Sequence, residues 1–188
     1  MKLCISNFIA AFLFTTVFAI APCSAGEQVG EWSTTVNGLK GRLITKEDKP
    51  FYGTQMVAVY VELANVSDVG NAMEFYFDPD KTIVSKVIDE SGKLVAQPPT
   101  AADIITTSPY WLALPWDGVM RFRVSISGYG VYKNSGTNVQ MMSGNWLIKP
   151  DDKQKYYLEA KFISRSPEND KRRSWNGELD LPRVLVPH

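Results

Sequence analysis

The residues that could do chemistry in this chain are few, and their types narrow the reaction classes at once. His188 is the one histidine, and the two cysteines, Cys4 and Cys23, both fall in the first 25 residues. A Ser-His-Asp triad, a Cys-His dyad or a histidine-based metal cluster needs more than that. Carboxylates are the remaining candidates for general acid and base work, which two positioned acids can perform without histidine. Asp78, Asp80, Asp89 and Glu90 qualify by type, but their Asp-Pro-Asp and Asp-Glu-Ser-Gly contexts are those in which aspartate organises turns. Asp78 and Asp80, with Asp151 or Asp152, are also the candidate ligands for calcium, although no spaced D-x-D-x-D-G loop is present.

Aromatic residues are the second lead. All five tryptophans, Trp32, Trp111, Trp116, Trp146 and Trp175, follow residue 25. For Trp32, Trp146 and Trp175 packing in the core is the favoured reading. Tyr110, Trp111 and Trp116 surround a Pro-Trp-Asp-Gly turn and are candidates for stacking on a ligand. So are Tyr129 and Tyr132, in a glycine-rich segment that with Asn134, Asn138 and Met141 reads as a recognition loop.

These side chains need a frame, and the frame is β. Past residue 30 the signal is alternation of apolar and polar residues over short runs broken by Gly, Pro, Asn and Asp. VAVYVELANVSD, residues 57–68, puts Val57, Val59, Val61 and Leu63 on one face and assigns Glu62 to the wetter one, with Asn65, Ser67 and Asp68 as strand end and turn. VMRFRVSIS, 119–127, separates Met120, Phe122, Val124 and Ile126 from Arg121, Arg123 and the serines. AMEFYF, 72–77, and KYYLEAKFI, 155–163, alternate likewise, the latter placing Tyr156, Leu158, Ala160 and Phe162 inward.

TIVSKVI, 82–88, turns through an acidic glycine segment to Leu94 and Val95, a hairpin at a sheet edge. In ELDLPRVLV, 178–186, Pro182 lacks the N–H that a central strand needs, which predicts an edge bulge. Residues 127–145 show little periodicity and read as a long loop. About eight or nine strands without an intervening helix predict an all-β, antiparallel, immunoglobulin-like two-sheet sandwich, with a closed barrel as the alternative.

The first 25 residues stand apart: Lys2, an apolar run of about 13 residues from Phe8 to Ile20, then Cys23-Ser24-Ala25, the pattern of a cleaved signal peptide and too short for the roughly 20 residues of a membrane span. The expected layout is a signal peptide at 1–25, cleaved near Ala25, and a single sandwich domain over 26–188, secreted or periplasmic. A lipid anchor at Cys23 is the rival reading, disfavoured by Pro22 before the cut. Basic and acidic residues number 20 each, and removing residues 1–25 takes away Lys2 and no acid, leaving 19 against 20. Such balance gives no pull toward nucleic acid. Lys171-Arg172-Arg173 beside Glu168 and Asp170 reads as a solvated connector.

Three segments, WSTTVNGLKGRL (32–43), VELANVSD (61–68) and WNGELDLPRVLV (175–186), resemble a family of exported bacterial immunoglobulin-like proteins with a W…VNGL.ARL, ELRNVSD, W.G.L.LP.V pattern. Gly41 stands where that pattern has alanine and Ala64 where it has arginine. The motifs are architectural, and the resemblance implies a fold and export without catalytic residues. Tyr156 resembles the sandwich-corner tyrosine that bonds to nearby backbone. The function expected from these features is that of a non-enzymatic exported module of the cell envelope, without cofactor, that binds a protein or acts as an accessory module. A carbohydrate-binding module and a histidine-free hydrolase are the alternatives.

Overall fold

Valines at every second position of the 57–63 run demand a pleated surface with a core on one side. The computed structural model of the chain describes residues 26–68, 70–97, 108–126 and 136–188, and it supplies that surface as β3, Thr54–Asn65. Val57, Val59, Val61 and Leu63 are all essentially inaccessible to water. Along one edge β3 pairs antiparallel with β2, Leu39–Phe51, bringing Leu43 beside Val61 and Thr45 beside Val59.

Two strands share its other edge. β7, Val119–Arg123, runs antiparallel against Tyr60–Ala64, and β8, Thr137–Met141, runs parallel against Gln55–Val57. β1, Glu27–Val29, flanks β2, and β9, Gly144–Ile148, forms a hairpin with β8, completing the first sheet.

The opposing layer has the order β11, Gly177–Leu185, then β10, Tyr156–Ser164, then β5, Ile83–Asp89. A ribbon of β4, Met73–Phe77, and β6, Tyr110–Leu114, extends it. Ser164 makes that junction: its hydroxyl accepts from the Tyr76 N–H and donates to the Tyr76 carbonyl, both at 3.1 Å. Between the layers Phe75 meets Phe162 edge-on at 5.5 Å, and Phe162 packs against Trp175 at 5.9 Å. β11 closes directly on β2, where the Thr45 hydroxyl donates to the Leu185 carbonyl at 2.6 Å. A Cβ at Gly41 would lie 2.7 Å from Leu181 Cδ2 and 2.9 Å from Leu63 Cδ2, so glycine gives those leucines their space.

The all-β sandwich is thus present, antiparallel except for the β3–β8 pair, with eleven strands rather than eight or nine and no helix among the described residues. β10 buries Tyr156, Leu158, Ala160 and Phe162 as its alternation predicts. The register of β10 and β11 shifts between Leu158 and Ala160, opposite Pro182 and Arg183, and Val184 and Val186 return to the core beyond it. Trp146 and Trp175 are core residues.

Several expectations are corrected. Residues 137–145, expected as loop, belong to the β8–β9 hairpin; every residue of β8 is buried, and a strand covered on both faces shows no alternation. The strand from Val119 ends at Arg123, where the N–H groups of Val124 and Ser125 both point at the Val59 carbonyl, a bulge. The 82–95 hairpin is reduced to a single Ile88–Leu94 bridge beyond the Asp89 turn. Trp32 lies outside the core, with Lys40 and Arg42 stacked over its ring at 4.9 and 4.4 Å. Glu62 is only 7% exposed, because β2 and β7 bring Arg42 and Arg121 directly opposite it. Those guanidiniums reach its carboxylate at 2.5 and 3.3 Å. The Tyr156 hydroxyl donates to the Asp152 carboxylate at 2.7 Å instead of to backbone. The expected signal peptide, with Cys23, lies outside the described residues.

Val61→Asp, which puts an unpaired charge among Leu43, Leu63 and Phe122, should cost about 4 kcal/mol or more, whereas Asp68→Ala on the surface should cost about 1 kcal/mol or less. Urea denaturation giving the opposite order would overturn the strand assignment. Burial first, then the bond to Asp152, pushes the Tyr156 phenol up from 10.0 to about 12. Folded protein therefore keeps a proton that unfolded chain loses between pH 10.0 and about 12, so this group's contribution to stability is full below that window and falls as pH rises through it. Unfolding midpoints measured across the window should fall more steeply for the wild type than for Tyr156→Phe.

Candidate functional site

Asn65 closes β3 and is 1% exposed, so its carboxamide must find partners inside the protein. Its Nδ2 donates to the carbonyls of Asn71 at 3.0 Å and Leu114 at 3.3 Å, while its Oδ1 accepts from the Ser67 N–H at 3.2 Å and the Ser67 hydroxyl at 2.7 Å. Both donors and both lone pairs of the amide are used. One side chain thereby joins the end of β3, the 66–72 connection and the end of β6.

The turn before β2 docks on the same place. Asn37 and Gly38 have φ of 49° and 79° between Val36 and Leu39, which exchange both backbone hydrogen bonds, the geometry of a two-residue Asn-Gly hairpin turn. The Gly38 carbonyl accepts from the Val66 N–H at 2.8 Å. A Cβ on Gly38 would stand 2.6 Å from Ser67 Cβ. From the 165–176 connection, Trp175 Nε1 donates to the Val36 carbonyl at 3.1 Å. From the turn between β6 and β7, Trp116 Nε1 donates to the Ser67 carbonyl at 2.9 Å. The VNGL, NVSD and WNG segments, far apart in sequence, are one hydrogen-bonded loop end.

This loop end borders an open depression of about 420 Å³, lined by the polar residues Asn37, Ser67, Asn71, Arg173, Ser174 and Asn176 together with Ala72, Met73 and Trp175. Asn176 is held in place: its Oδ1 accepts from the Ser166 N–H at 2.7 Å and its Nδ2 donates to the Ser174 carbonyl at 3.2 Å. Ser174 and Ser166 share a further hydroxyl–hydroxyl bond. The side chains of Asn37, Asn71 and Arg173, by contrast, make no hydrogen bond or ion pair among the described residues. Trp116 is not itself a lining residue; it adjoins the depression through Ser67, to whose carbonyl its N–H is committed, and its ring is 55% exposed. Carboxamides, hydroxyls and a guanidinium lining such a space can bind a polar ligand. Ser67 and Ser174, the hydroxyls of the lining, are tied to Asn65 and Ser166 rather than to a base.

The aromatic candidates are not brought together. Tyr110, 46% exposed, packs on Phe77 at 5.2 Å and borders a second cleft of about 230 Å³ with Arg123, Met141 and Met142. Trp111, its neighbour on β6, points to the opposite face, where it meets Tyr76 at 5.3 Å and carries the Arg172 guanidinium at 4.5 Å. Trp116 alone of the three belongs to the loop end. Tyr129 and Tyr132, with Asn134, lie outside the described residues. Asn138 and Met141 are buried in β8, which removes them from a recognition loop.

The acids cap turns. Asp89 accepts from the Ser91 hydroxyl and from the N–H groups of Ser91 and Lys93, which hold its carboxyl below the ordinary range. Asp78 accepts from the Asp80 N–H and pairs with Lys81, and Asp152 is lowered chiefly by the Tyr156 hydroxyl. Glu90 is exposed on the Asp89 turn. No group of three or more His, Cys, Asp or Glu suited to a metal occurs among the described residues.

Asn37, Asn71 and Arg173 were not singled out from sequence as binding residues. The Asn-Gly pair at 37–38 signals a tight turn, but nothing in the sequence places it against 65–72 and 173–176. Compared with known protein families, with curated proteins and with solved structures, the chain matches none. The resemblance of the three segments therefore stands on their residues alone.

Gly38→Ala should lose about 2 kcal/mol or more, through its left-handed φ and the contact with Ser67. Asn65→Ala should lose about 2 to 3 kcal/mol by orphaning the groups it joins. Equilibrium unfolding at the wild-type midpoint for either variant would contradict the docking of these turns.

Proposed function

We propose that this chain is an exported, non-enzymatic β-sandwich of the cell envelope that binds a partner through the loop end organised by Asn65. The observation that carries this reading is the combination of a rigid frame with unengaged groups. Four connections are cross-bonded around Asn65 and Ser67, while Asn37, Asn71 and Arg173 remain available and Trp116 is exposed. Loops held on a rigid sandwich can offer binding groups at little ordering cost, because their conformation is set before the partner arrives. The resemblance of the VNGL, NVSD and WNG segments to exported sandwich proteins supports the location of the module, and the apolar run at 8–20 supports its export. Among the described residues no helix is long and apolar enough to cross a membrane.

The reading is tested by immobilising the purified protein and passing envelope extract over it, with Trp116→Ala and Arg173→Ala as probes. Lys153→Ala, an exposed substitution at the far end of β10, serves as control. Retention of a partner by wild type and control, reduced about tenfold or more by the loop-end variants, is the expected result. Equal retention by all four proteins would refute the loop end as the binding surface.

A further inference from the structure

We infer that the ligand of the loop-end depression is a glycan, bound with one sugar face against Trp116 and its hydroxyls or amides against Asn37, Asn71, Ser174 and Asn176. The inference rests on the reading of the loop end as a binding surface and adds the chemical class of what it binds.

The chemistry of the lining carries it. A pyranose presents donor and acceptor together at each hydroxyl, and its complement is a group offering both functions in a short span. A carboxamide does that, with two N–H donors and a two-lone-pair acceptor. The depression has three of them, at Asn37, Asn71 and Asn176, on three separate connections. Two have no partner among the described residues, and the third is pinned by Ser166 and Ser174, so the lining offers both adaptable and fixed contacts.

A sugar also has an apolar C–H face, which needs a flat, weakly hydrated surface to lie on. The Trp116 indole meets this need: its N–H is satisfied internally by Ser67, its orientation is thereby fixed, and over half its surface is open. The volume of about 420 Å³ lies within the range of small-ligand sites, about 300 to 1,000 Å³.

A protein partner would be expected to insert apolar anchors into apolar pockets at the centre of its interface. Of the apolar residues that line the depression, Trp175 is buried, Met73 is half-buried and Ala72 offers a single methyl group, while the exposed Val66 and Val119 lie outside the lining. Its charged lining residue is Arg173, which would accept a uronate or other acidic sugar substituent and tolerate a neutral one.

Titration of the purified protein with chitohexaose, cellohexaose and a polygalacturonate hexamer, followed by calorimetry and tryptophan fluorescence, tests this. The three probes separate amide-bearing, neutral and acidic sugars. Saturable binding of at least one is expected, weakened about tenfold or more by Trp116→Ala and by Asn71→Ala. The Asn71 amide is exposed and has no partner among the described residues, so its loss should leave the unfolding midpoint unchanged and keep the test independent of folding. A preference for polygalacturonate that disappears in Arg173→Ala assigns the acidic class.

Failure of all three probes, or binding that Trp116→Ala and Asn71→Ala leave unaltered, overturns the inference. If an envelope protein is retained under the first of these outcomes and lost with Trp116→Ala, the loop end binds protein and only the glycan assignment falls. If retention too is indifferent to Trp116→Ala, the binding reading falls with it.

Discussion

A strand covered on both faces must satisfy two environments with one backbone, and the rest of this structure depends on how β3 does so. Its inner face is aliphatic and packs against the opposing layer. Its outer face carries Glu62, a carboxylate withdrawn from water that is tolerable only because charged partners stand across from it. Arg42 on β2 and Arg121 on β7 are those partners, each directly opposite in the ladder. A one-residue slip of either neighbour would expose aliphatic side chains on one face and orphan Glu62 on the other. The two faces thus enforce the same register independently.

That register positions Asn65, the last residue of β3, at a fixed point where its carboxamide can tie down flanking segments. The amide has no spare hydrogen-bonding capacity, so the 66–72 connection and the end of β6 are held together. Ser67, fixed in its turn, gives the Asn37-Gly38 turn its seat and the Trp116 indole its acceptor. The order of dependence runs from aliphatic packing, through the strand end, to the exposed groups around the depression. Rigidity at the loop end comes from the sheet beneath it.

Legibility in the sequence followed the difference between the two sides of each strand. β10, the inner face of β3 and the Pro182 bulge were readable because one face is wet or a proline forbids a hydrogen bond. β8 was not, because Thr137 and Gln140 are buried along with Val139, so composition carries no record of which way each points. Glu62 misled for a related reason: its charge argues for water, and its actual surroundings come from strands that lie about 20 and 60 residues away along the chain. Tyr110 and Trp111 had their separation written in their adjacency, since neighbours on a strand face opposite ways.

The fold class, the inward sets of the main strands, the edge position of the Pro182 strand and the scarcity of residues able to do covalent catalysis can all be read from residue order and type. These are properties of local pattern and residue type. Strand pairing and packing are what bring VNGL, NVSD and WNG into one loop end, put Trp116 there while Tyr110 and Trp111 lie elsewhere, and set Asn37, Asn71 and Arg173 around one space. The physical reason is that local propensity acts over a few residues, whereas the meeting of distant turns is set by which strand edges pair and in what register.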